Sequence, residues 1–271
     1  MATPIGNADD ISRRAIETLK SCATIACEDT RVTGPLMARL GITTPLLAYH
    51  EHNAARMRPA ILARLRAGEA LALVSDAGTP LVSDPGYKLV RAAIAEGLSV
   101  TTIPGPSAVL AALVLSGLPS NRFMFAGFPA PKGAARRREL QELSAVPATL
   151  IFFESANRLQ ATLADMAAVL GEREAAVARE MTKMFEEVRR GNLAALAGHY
   201  ASAGAPKGEV AIVVGPPAAQ ARPDDAEVNH LLVSALATES LRDAVASVTA
   251  ATGLPRREIY ARALRLAKDK A

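Results

Sequence analysis

The first half of the chain alternates short apolar runs with stretches of helical periodicity, and this alternation restricts the possible folds more than any other feature. The apolar runs lie at residues 24–27, 45–48, 70–74 and 99–103, and the predicted helices lie at 11–20, 32–40, 53–67, 86–95 and 108–116. Residues 70–74 are continuously apolar, which is typical of a strand buried on both faces. Strands that alternate with helices form a mostly parallel sheet covered by helices. The sequence therefore predicts an α/β unit.

Capping residues mark the ends of three of these helices. Asp9 or Asp10 is placed to cap the helix at 11–20. Asn53 is placed to cap the helix at 53–67, which Gly68 ends. Ser107 caps the helix that runs to Ser116.

Beyond a linker at residues 117–122, a second alternation predicts another α/β unit. Its strands are predicted at residues 123–127, 149–154, 175–179 and 209–214, with residues 185–190 left open as an additional strand, and its helices at 134–144, 158–170 and 192–202. The segment that follows a polar break at residues 222–225 is all helical. We therefore expect an α/β protein with two α/β domains, residues 1–116 and 117–217, a ligand crevice between them, and a basic helical tail at residues 222–271.

The tail contains an apolar helix, the turn Gly253-Leu254-Pro255 and an arginine-rich helix. This is the pattern of a helix-turn-helix, and also of a simple helical hairpin that packs on the body of the protein. Lys and Arg outnumber Asp and Glu in residues 240–271, and a second basic block contains Lys132 and residues 136–138. Two basic blocks in a chain of net charge +4 favour a polyanionic partner.

Several classes of protein are disfavoured by the composition. Cys22 and Cys27 are the only cysteines, and two cysteines at this spacing indicate neither a zinc site nor a disulfide framework. The longest apolar run, residues 108–118, is interrupted by Ser116 and Gly117 and falls short of the roughly 18 residues of a membrane helix. The N-terminus becomes polar within a few residues, unlike a signal peptide. We therefore expect a soluble cytoplasmic protein.

Polar clusters follow the predicted strands. They lie at residues 3–7, 28–31, 50–53, 75–80 and 104–107. Ligands of open α/β sheets bind beyond the carboxyl ends of the strands, so these clusters predict one site lined by several loops. The usual nucleotide fingerprints, the P-loop and G-x-G-x-x-G, are absent from the sequence.

The segment LVSDAGTPLVSDPGY, residues 73–87, is predicted to form two consecutive tight turns that carry Asp76 and Asp84. These carboxylates could hold a divalent metal together with Glu28 or Asp29. The same carboxylates can equally cap helices or anchor turns, and we expect no metal site.

Seven motifs together resemble one family. They are ATPIGN (2–7), EDTR (28–31), HEHN (50–53), SDAGTPLVSDPG (75–86), PGPSA (104–108), FFES (152–155) and GE (208–209). In this order they resemble the ribosomal RNA small subunit methyltransferase I family, which belongs to the tetrapyrrole methylase-like S-adenosylmethionine enzymes. The basic tail resembles the C-terminal helix-turn-helix module of that family.

The resemblance implies a 2′-O-methyltransferase that uses S-adenosylmethionine. The implied substrate is 16S rRNA in the small ribosomal subunit, at a decoding-centre cytidine, cytidine 1402. The resemblance also implies a homodimer that works in the cytoplasm without metal or membrane. The methyl donor would lie in the crevice between the two α/β domains.

The resemblance also implies site residues, carried over by motif. The residues implied to bind the donor are Gly6, Asp76, Ala77, Gly78, Thr79, Pro80, Pro104, Gly105, Pro106 and Ser107. The candidates for accepting the proton of the ribose hydroxyl, which we leave unranked, are Asp29, Asp84, His52 and Glu154. The implied phosphate contacts are Arg31, Arg136, Arg137, Arg138, Arg158, Lys183, Arg256 and Arg257.

The sequence departs from the family pattern in two places. Family members usually carry several apolar residues before ATPIGN, whereas Met1 precedes it directly here, so we expect the first strand to be a stub. The ESPHR of the family is ESANR at residues 154–158, so a role for that His cannot be transferred to Asn157.

Three other functions remain open from the sequence. The first is methylation of a tetrapyrrole or another small molecule by an enzyme of the same fold, which would not need the basic tail. The second is a ligand-sensing regulator that binds nucleic acid through residues 256–265. The third is a metal-dependent phosphohydrolase that uses Asp76 and Asp84.

Overall fold

The structure is a computed structural model that describes residues 1–218 and 224–268. The chain separates into two compact units, Met1–Pro217 and Ala218–Ala271, and each is described by itself. No helix of the described residues is long and apolar enough to cross a membrane.

The first unit begins with a three-stranded parallel sheet of order β2-β1-β3. Its strands are β1 (Thr24–Cys27), β2 (Leu46–Ala48) and β3 (Leu71–Leu73), and the helices of this half are α1 (Arg13–Ser21), α2 (Thr30–Arg39), α3 (Ala54–Arg66), α4 (Tyr87–Ala95) and α5 (Ala108–Ser116). The central strand β1 is buried along its whole length, and its side chains pack into two cores. Ile25 and Cys27 pack with Leu19 of α1, while Ala26 packs with Ile61 of α3 on the other face. The predicted parallel α/β unit is confirmed.

The beginning of α1 differs from the sequence-based prediction. Asp9 and Asp10 do not cap this helix, because they lie in a separate 3-10 turn, Ala8–Asp10. The cap is Ser12, whose side chain accepts a hydrogen bond from Ala15 N at 3.1 Å. Asn53 does precede α3, but its side chain makes no cap bond. It instead accepts from His50 N at 3.0 Å and donates to Ala48 O at 2.9 Å, which fixes the loop after β2.

The strand predicted at residues 99–103 was wrong, because these residues form no ladder with a neighbouring strand. Residues 1–3 lie beside this stretch only at its end, where Ala2 N donates to Ile103 O at 3.3 Å. On the other side, the Met1 ammonium donates to Leu73 O at 2.7 Å, and Thr3 bridges to Gly78. The beginnings of β3 and of residues 99–103 instead border an apolar groove of about 760 Å³.

A second, mixed sheet of five strands, with the order β4-β5-β8-β6-β7, completes the unit. The strands are β4 (Phe123–Phe125), β5 (Thr149–Ser155), β6 (Glu174–Arg179), β7 (Glu187–Asn192) and β8 (Glu209–Val214), and the helices are α6 (Gly133–Leu143), α7 (Leu159–Leu170) and α8 (Leu193–Ala203). Successive side chains of a strand point to opposite faces. Accordingly, Phe152 packs with α6, α7 and α8, whereas Ile151 packs with Val109 and Leu113 of α5. Helix α5 therefore belongs to the core of the second sheet.

The second unit has three helices in its described part, α9 (Asp225–Ala235), α10 (Leu241–Thr252) and α11 (Arg256–Lys268). They share a core that includes Leu232, Val245 and Ile259. Gly253 ends α10 in a left-handed conformation with φ 66°, which glycine adopts without steric cost. The remaining residues of the predicted tail, 222–223 and 269–271, lie outside the described residues.

Candidate active site

A crevice of about 740 Å³ lies in the first unit between loops of both sheets. From the first half of the unit it is lined by Ile5, Ala77, Gly78, Thr79, Val82, Ser83, Asp84, Ser107, Ala108 and Val109. From the second half it is lined by Phe128, Phe153, Glu154, Ser155, Ala156, Asn157, Met181, Pro206, Lys207, Gly208, Glu209, Val210 and Ala211. Most of this wall is apolar, and the polar groups lie at strand ends. The crevice therefore has the composition of a small-molecule site.

The turn at residues 75–79 forms a rigid part of the wall. Thr3 and Gly78 exchange two backbone hydrogen bonds, at 2.8 and 3.0 Å. Ser75 Oγ donates to Gly78 O at 3.2 Å, and Thr79 Oγ1 donates to Pro106 O at 3.1 Å. Gly78 has φ +76°, a conformation that side chains rarely adopt. These bonds hold the loops after β3 and before α5 together at the edge of the crevice.

The ten residues implied to bind the donor divide into two groups. Ala77, Gly78, Thr79 and Ser107 line the crevice. Asp76, Pro80, Pro104, Gly105, Pro106 and Gly6 are not among its lining residues, and Pro80 and Pro104 line the separate groove beside β3. The carbonyl of Pro106 holds Thr79, and a Cβ on Gly105 would lie 3.1 Å from Ala2 Cβ. These residues lie outside the crevice and support the residues that line it.

Gly6 joins the N-terminal turn to the connection between β6 and β7. A Cβ at this position would lie 2.5 Å from Lys183 Cγ and 2.8 Å from Thr182 Oγ1, so only glycine allows the approach. Asn7 N donates to the same Thr182 Oγ1 at 3.1 Å. Gly6 was predicted in the donor wall, whereas the structure places it in a packing contact next to that wall.

Carboxylates gather where β1 and β3 end. Asp76 Oδ1 accepts a hydrogen bond from Asp29 N at 3.0 Å, which ties the two strand ends together. Burial, the Glu28 carboxylate and the Asp76 carboxylate raise the pKa of Asp84 to about 6. Burial and the Asp76 carboxylate likewise raise the pKa of Glu28 above its usual value. Among the described residues, no group of three or more His, Cys, Asp or Glu side chains could hold a metal ion.

Asp29 is an N-cap and the partner of an arginine. Its carboxylate accepts a hydrogen bond from Arg31 N at 2.8 Å and from Arg31 Nη2 at 2.6 Å. The hydrogen bonds from the Arg31 side chain and backbone lower the pKa of Asp29 to about 2. The carboxylate is fully ionised at neutral pH and is held by these donors.

Glu154 lies at the end of β5 with a side chain that is 0% exposed. Its Oε1 accepts from Ser155 N at 2.7 Å and from Arg158 Nε at 2.7 Å, and its Oε2 accepts from Thr162 Oγ1 at 2.6 Å. Both oxygens are therefore engaged by donors of this chain. Thr162 was not predicted from the sequence; it lies on the buried face of α7 and supplies one of these donors.

His50 and His52 follow β2, with their ring centroids 6.0 Å apart. Nδ1 of His50 is buried and has no hydrogen-bond partner in the described part of the chain. His52 is exposed, and neither ring lines the crevice.

The comparisons with known proteins agree with this geometry. Residues 2–197 match the family model of the Tetrapyrrole (Corrin/Porphyrin) Methylases, and residues 222–267 match the model of the RsmI C-terminal HTH domain. A curated relative from Mesorhizobium japonicum, a ribosomal RNA small subunit methyltransferase I, is 52% identical over 98% of this chain and 90% of its own. This chain belongs to the ribosomal RNA small subunit methyltransferase I family. Further members from Xylella fastidiosa (strain Temecula1) and Pseudomonas aeruginosa are 49% and 46% identical over 96% and 97% of this chain, and over 96% and 95% of their own.

Solved structures support the fold of the first unit. Diphthine synthase matches with a TM-score of 0.61 at 14% identity over 79% of this chain and 88% of its own. Uroporphyrin-III-C-methyltransferase from Thermus thermophilus matches with a TM-score of 0.55 at 20% identity over 79% of this chain and 91% of its own. The helix-turn-helix prediction for the tail is also confirmed, since the RsmI C-terminal domain covers α9, α10 and α11.

The predicted phosphate contacts of this family member differ in accessibility. Arg136 is only 5% exposed and pairs with Asp165, with Nε and Oδ2 2.8 Å apart, and this burial counts against a phosphate contact. Arg158 pairs with Glu154, and Lys183 Nζ donates to Glu180 and Glu209 at 2.9 Å each. The remaining five cations, Arg31, Arg137, Arg138, Arg256 and Arg257, are exposed.

The apolar wall of the second sheet was not predicted from the sequence. Strand β8 is antiparallel to β5 and β6, so it begins at the edge where they end, with Glu209 beside Ser155. This edge brings Gly208 near Met181 and near Phe128 and Phe153, whose rings meet edge to face with centroids 5.7 Å apart. Polar residues after the strands were the signal used for the site, whereas Phe128, Phe153 and Met181 are apolar.

Proposed function

We propose that this protein transfers the methyl group of S-adenosylmethionine to the ribose 2′-oxygen of a decoding-centre cytidine in 16S rRNA. The observation that carries the proposal is the crevice of about 740 Å³, whose wall includes Ala77, Gly78, Thr79, Val82, Ser83 and Asp84 of the SDAGTPLVSDPG motif. The curated relatives named ribosomal RNA small subunit methyltransferase I support the choice of substrate.

The residues of the crevice fit the methyl donor. The volume lies within the roughly 300–1,000 Å³ typical of small-molecule sites. The fixed turn at residues 77–79 offers backbone groups to a polar ligand, and Phe153 and Met181 offer an apolar surface. Asp84 adds an acidic side chain to this lining. Ala77, Gly78, Thr79 and Ser107 are therefore the residues proposed to hold the donor.

S-adenosylmethionine supplies an activated methyl group when it is bound. The protein must then hold the ribose hydroxyl in line with that methyl group, exclude water and accept a proton. Positioning alone can supply up to roughly 7–11 kcal/mol of barrier reduction in well-oriented reactions. The hydrogen-bonded turn at residues 75–79 gives the rigidity that such positioning requires.

Exposed cations are proposed to bind the RNA backbone. Arg31 lies in the first turn of α2, and Arg137 and Arg138 lie on α6. Arg256 and Arg257 begin α11 of the helix-turn-helix unit. Contacts to phosphates position RNA without reading its sequence, so specificity must come from the nucleotides that enter the crevice.

A homodimer is part of the proposal. Helix α5 is apolar all round, yet Val114 is 79% exposed and Leu110 is exposed one turn before it. A helix without a polar face is normally buried, so we propose that a second copy covers these residues. Light scattering of the wild type and of Val114→Glu tests this, with a dimer expected for the first and a monomer for the second.

The function is tested with tritiated S-adenosylmethionine and small ribosomal subunits from a strain that lacks this modification. We expect label at one ribose 2′-oxygen of 16S rRNA, and subunits from the parent strain, which are already methylated, provide the control. Donor binding without label would favour methylation of a small molecule, the type of reaction for which one fold neighbour is named. Specific duplex DNA binding without turnover would favour a regulator instead.

A further inference from the structure

The structure discriminates among the four candidate proton acceptors. We infer that Asp84 is the catalytic residue that accepts the proton of the attacking hydroxyl, an inference that rests on the proposed function. In this step the hydroxyl O–H bond breaks and its proton moves to an Asp84 carboxylate oxygen. The hydroxyl oxygen forms a bond to the methyl carbon, and the carbon–sulfur bond breaks and leaves its electron pair on sulfur. The products are a methyl ether, a neutral thioether and protonated Asp84, which returns its proton to water.

The position of Asp84 in the crevice is the first argument. Asp84 lines the crevice together with Val82 and Ser83, on the segment that continues from the proposed donor-binding turn at residues 77–79. Asp29 and His52 do not line it. Of the four candidates, only Asp84 and Glu154 are at the place where a methyl donor and its acceptor would meet.

The engagement of the carboxylates is the second argument. Glu154 has both oxygens bound by Ser155, Arg158 and Thr162, and its side chain is fully buried. A carboxylate held in this way stabilises the end of β5, and its fully buried oxygens are not presented to an incoming hydroxyl. Asp29 is similarly held by Arg31.

The charged surroundings of Asp84 are the third argument. It faces the carboxylates of Glu28 after β1 and Asp76 after β3, and the Ser75 hydroxyl. The cation and the imidazole at this edge interact with carboxylates other than Asp84. Arg31 binds Asp29, and His50 interacts electrostatically with Glu28. Burial and the Glu28 charge therefore raise the pKa of Asp84 to about 6. A base works best when its pKa lies near the working pH, because it is then both ionised and able to hold a proton.

The backbone that presents Asp84 is held in an uncommon conformation. Leu81 and Ser83 have φ of 72° and 65°, a region that residues other than glycine rarely adopt. Gly86 follows with φ +130°, and a Cβ there would lie 2.6 Å from Leu73 Cδ2. Close packing of Gly86 on Leu73 of β3 therefore fixes the segment directly after Asp84.

The test compares Asp84→Asn, two residues before the N-cap of α4, with Glu96→Gln, which removes a carboxylate at the C-cap of α4. Single-turnover methylation of small ribosomal subunits is measured with saturating S-adenosylmethionine, and donor affinity is measured separately by calorimetry. For Asp84→Asn we expect a rate lowered by about 10²–10⁴-fold with donor affinity within a few-fold of the wild type. Glu96→Gln is expected to match the wild type in both measurements.

The pH profile adds a readout that a structural role would not give. The wild-type rate should rise tenfold per pH unit below about 6 and level off above it, because only ionised Asp84 accepts the proton. The rate of Asp84→Asn should not show this rise with pH. A variant that loses donor affinity but keeps the single-turnover rate would show that Asp84 binds the sulfonium, and would overturn the inference. A wild-type enzyme that labels no RNA would instead refute the proposed function.

Discussion

The buried ion pair at the end of β5 allows the most stringent test of the structure. Glu154 and Arg158 are an i,i+4 pair with side chains 0% and 28% exposed. Removing one partner of a buried pair typically costs about 3–5 kcal/mol, because the remaining charge stays buried without compensation. Arg158→Ala leaves the Glu154 charge with the Ser155 amide, the Ser155 hydroxyl and the Thr162 hydroxyl as donors. We therefore expect a loss of about 3 kcal/mol, near the lower limit because Arg158 is partly hydrated.

The chain provides a matched control for this substitution. Arg138 and Glu142 form an i,i+4 pair of the reverse order on α6, with side chains 85% and 68% exposed. Exposed pairs contribute about 0.2–1 kcal/mol, so Arg138→Ala should change stability by no more than that. The two substitutions together separate the effect of burial from the loss of an arginine side chain.

The decisive measurement is a double-mutant cycle. Urea unfolding is followed by circular dichroism, since the chain has no Trp, for Arg158→Ala, Glu154→Gln and the double variant. Neutralising Glu154 removes the uncompensated charge, so the double variant should be more stable than Arg158→Ala alone. A double variant less stable than Arg158→Ala, or an Arg158→Ala loss no larger than that of Arg138→Ala, would refute the reasoning.

Three further predictions follow from contacts and charges in the structure. Asp84→Asn should raise the melting temperature at pH 8, because the raised pKa of Asp84 means that its ionised form is disfavoured in the folded state. The gain in melting temperature should disappear near pH 4, where the native carboxyl is protonated, and a gain that is the same at both pH values would contradict this. Gly6→Ala should lower the free energy of unfolding by about 1–3 kcal/mol, because its Cβ clashes with Lys183 and Thr182. In the same urea titration, Gly198→Ala in α8, where a Cβ meets nothing within 4 Å, should raise the free energy of unfolding by up to about 1 kcal/mol. Replacing Arg256 and Arg257 by Ala should reduce the steepness with which the logarithm of the RNA-binding constant falls with the logarithm of the salt concentration, by about 1 for each phosphate that is no longer bound. An unchanged slope in filter binding to 16S rRNA would place these arginines outside the RNA interface.

The fold was predictable where local patterns decide it. The run at residues 24–27 became the buried strand β1 without change of boundary, because an apolar run between two helices has one stable place in an α/β unit. The strand at residues 99–103 was not predictable, since a strand needs a neighbour along its whole length and residues 1–3 provide one only at Ile103. The cap of α1 was missed because Ser12 and the two aspartates satisfy the same local rule, and only the 3-10 turn decides between them.

The site was less predictable, because its chemistry depends on pairings over long distances. Glu154, Asp29 and Asp84 are all carboxylates near strand ends, and the sequence offers no way to rank them. In the structure, Thr162 and Arg158 engage Glu154, and Arg31 engages Asp29, while Asp84 has carboxylates as its charged neighbours. Gly6 is a similar case, since its contact partner lies about 175 residues further along the chain.

The two turns of the segment at residues 75–86 are built differently, and the difference explains why the segment carries two Ser-Asp pairs. In the first turn, Ser75 and Gly78 are fixed by short bonds to each other and to Thr3, and Asp76 ties β3 to the loop after β1. In the second turn, the hydrogen bond from Val82 N to Thr79 O is long, 3.4 Å, and two residues other than glycine are left-handed. A rigid turn suits the binding of a donor, and a turn that presses one carboxylate against two others suits the transfer of a proton. Because close packing of Gly86 on Leu73 maintains the second turn, Gly86→Ala should reduce methyl transfer while the bonds around Gly78 remain intact.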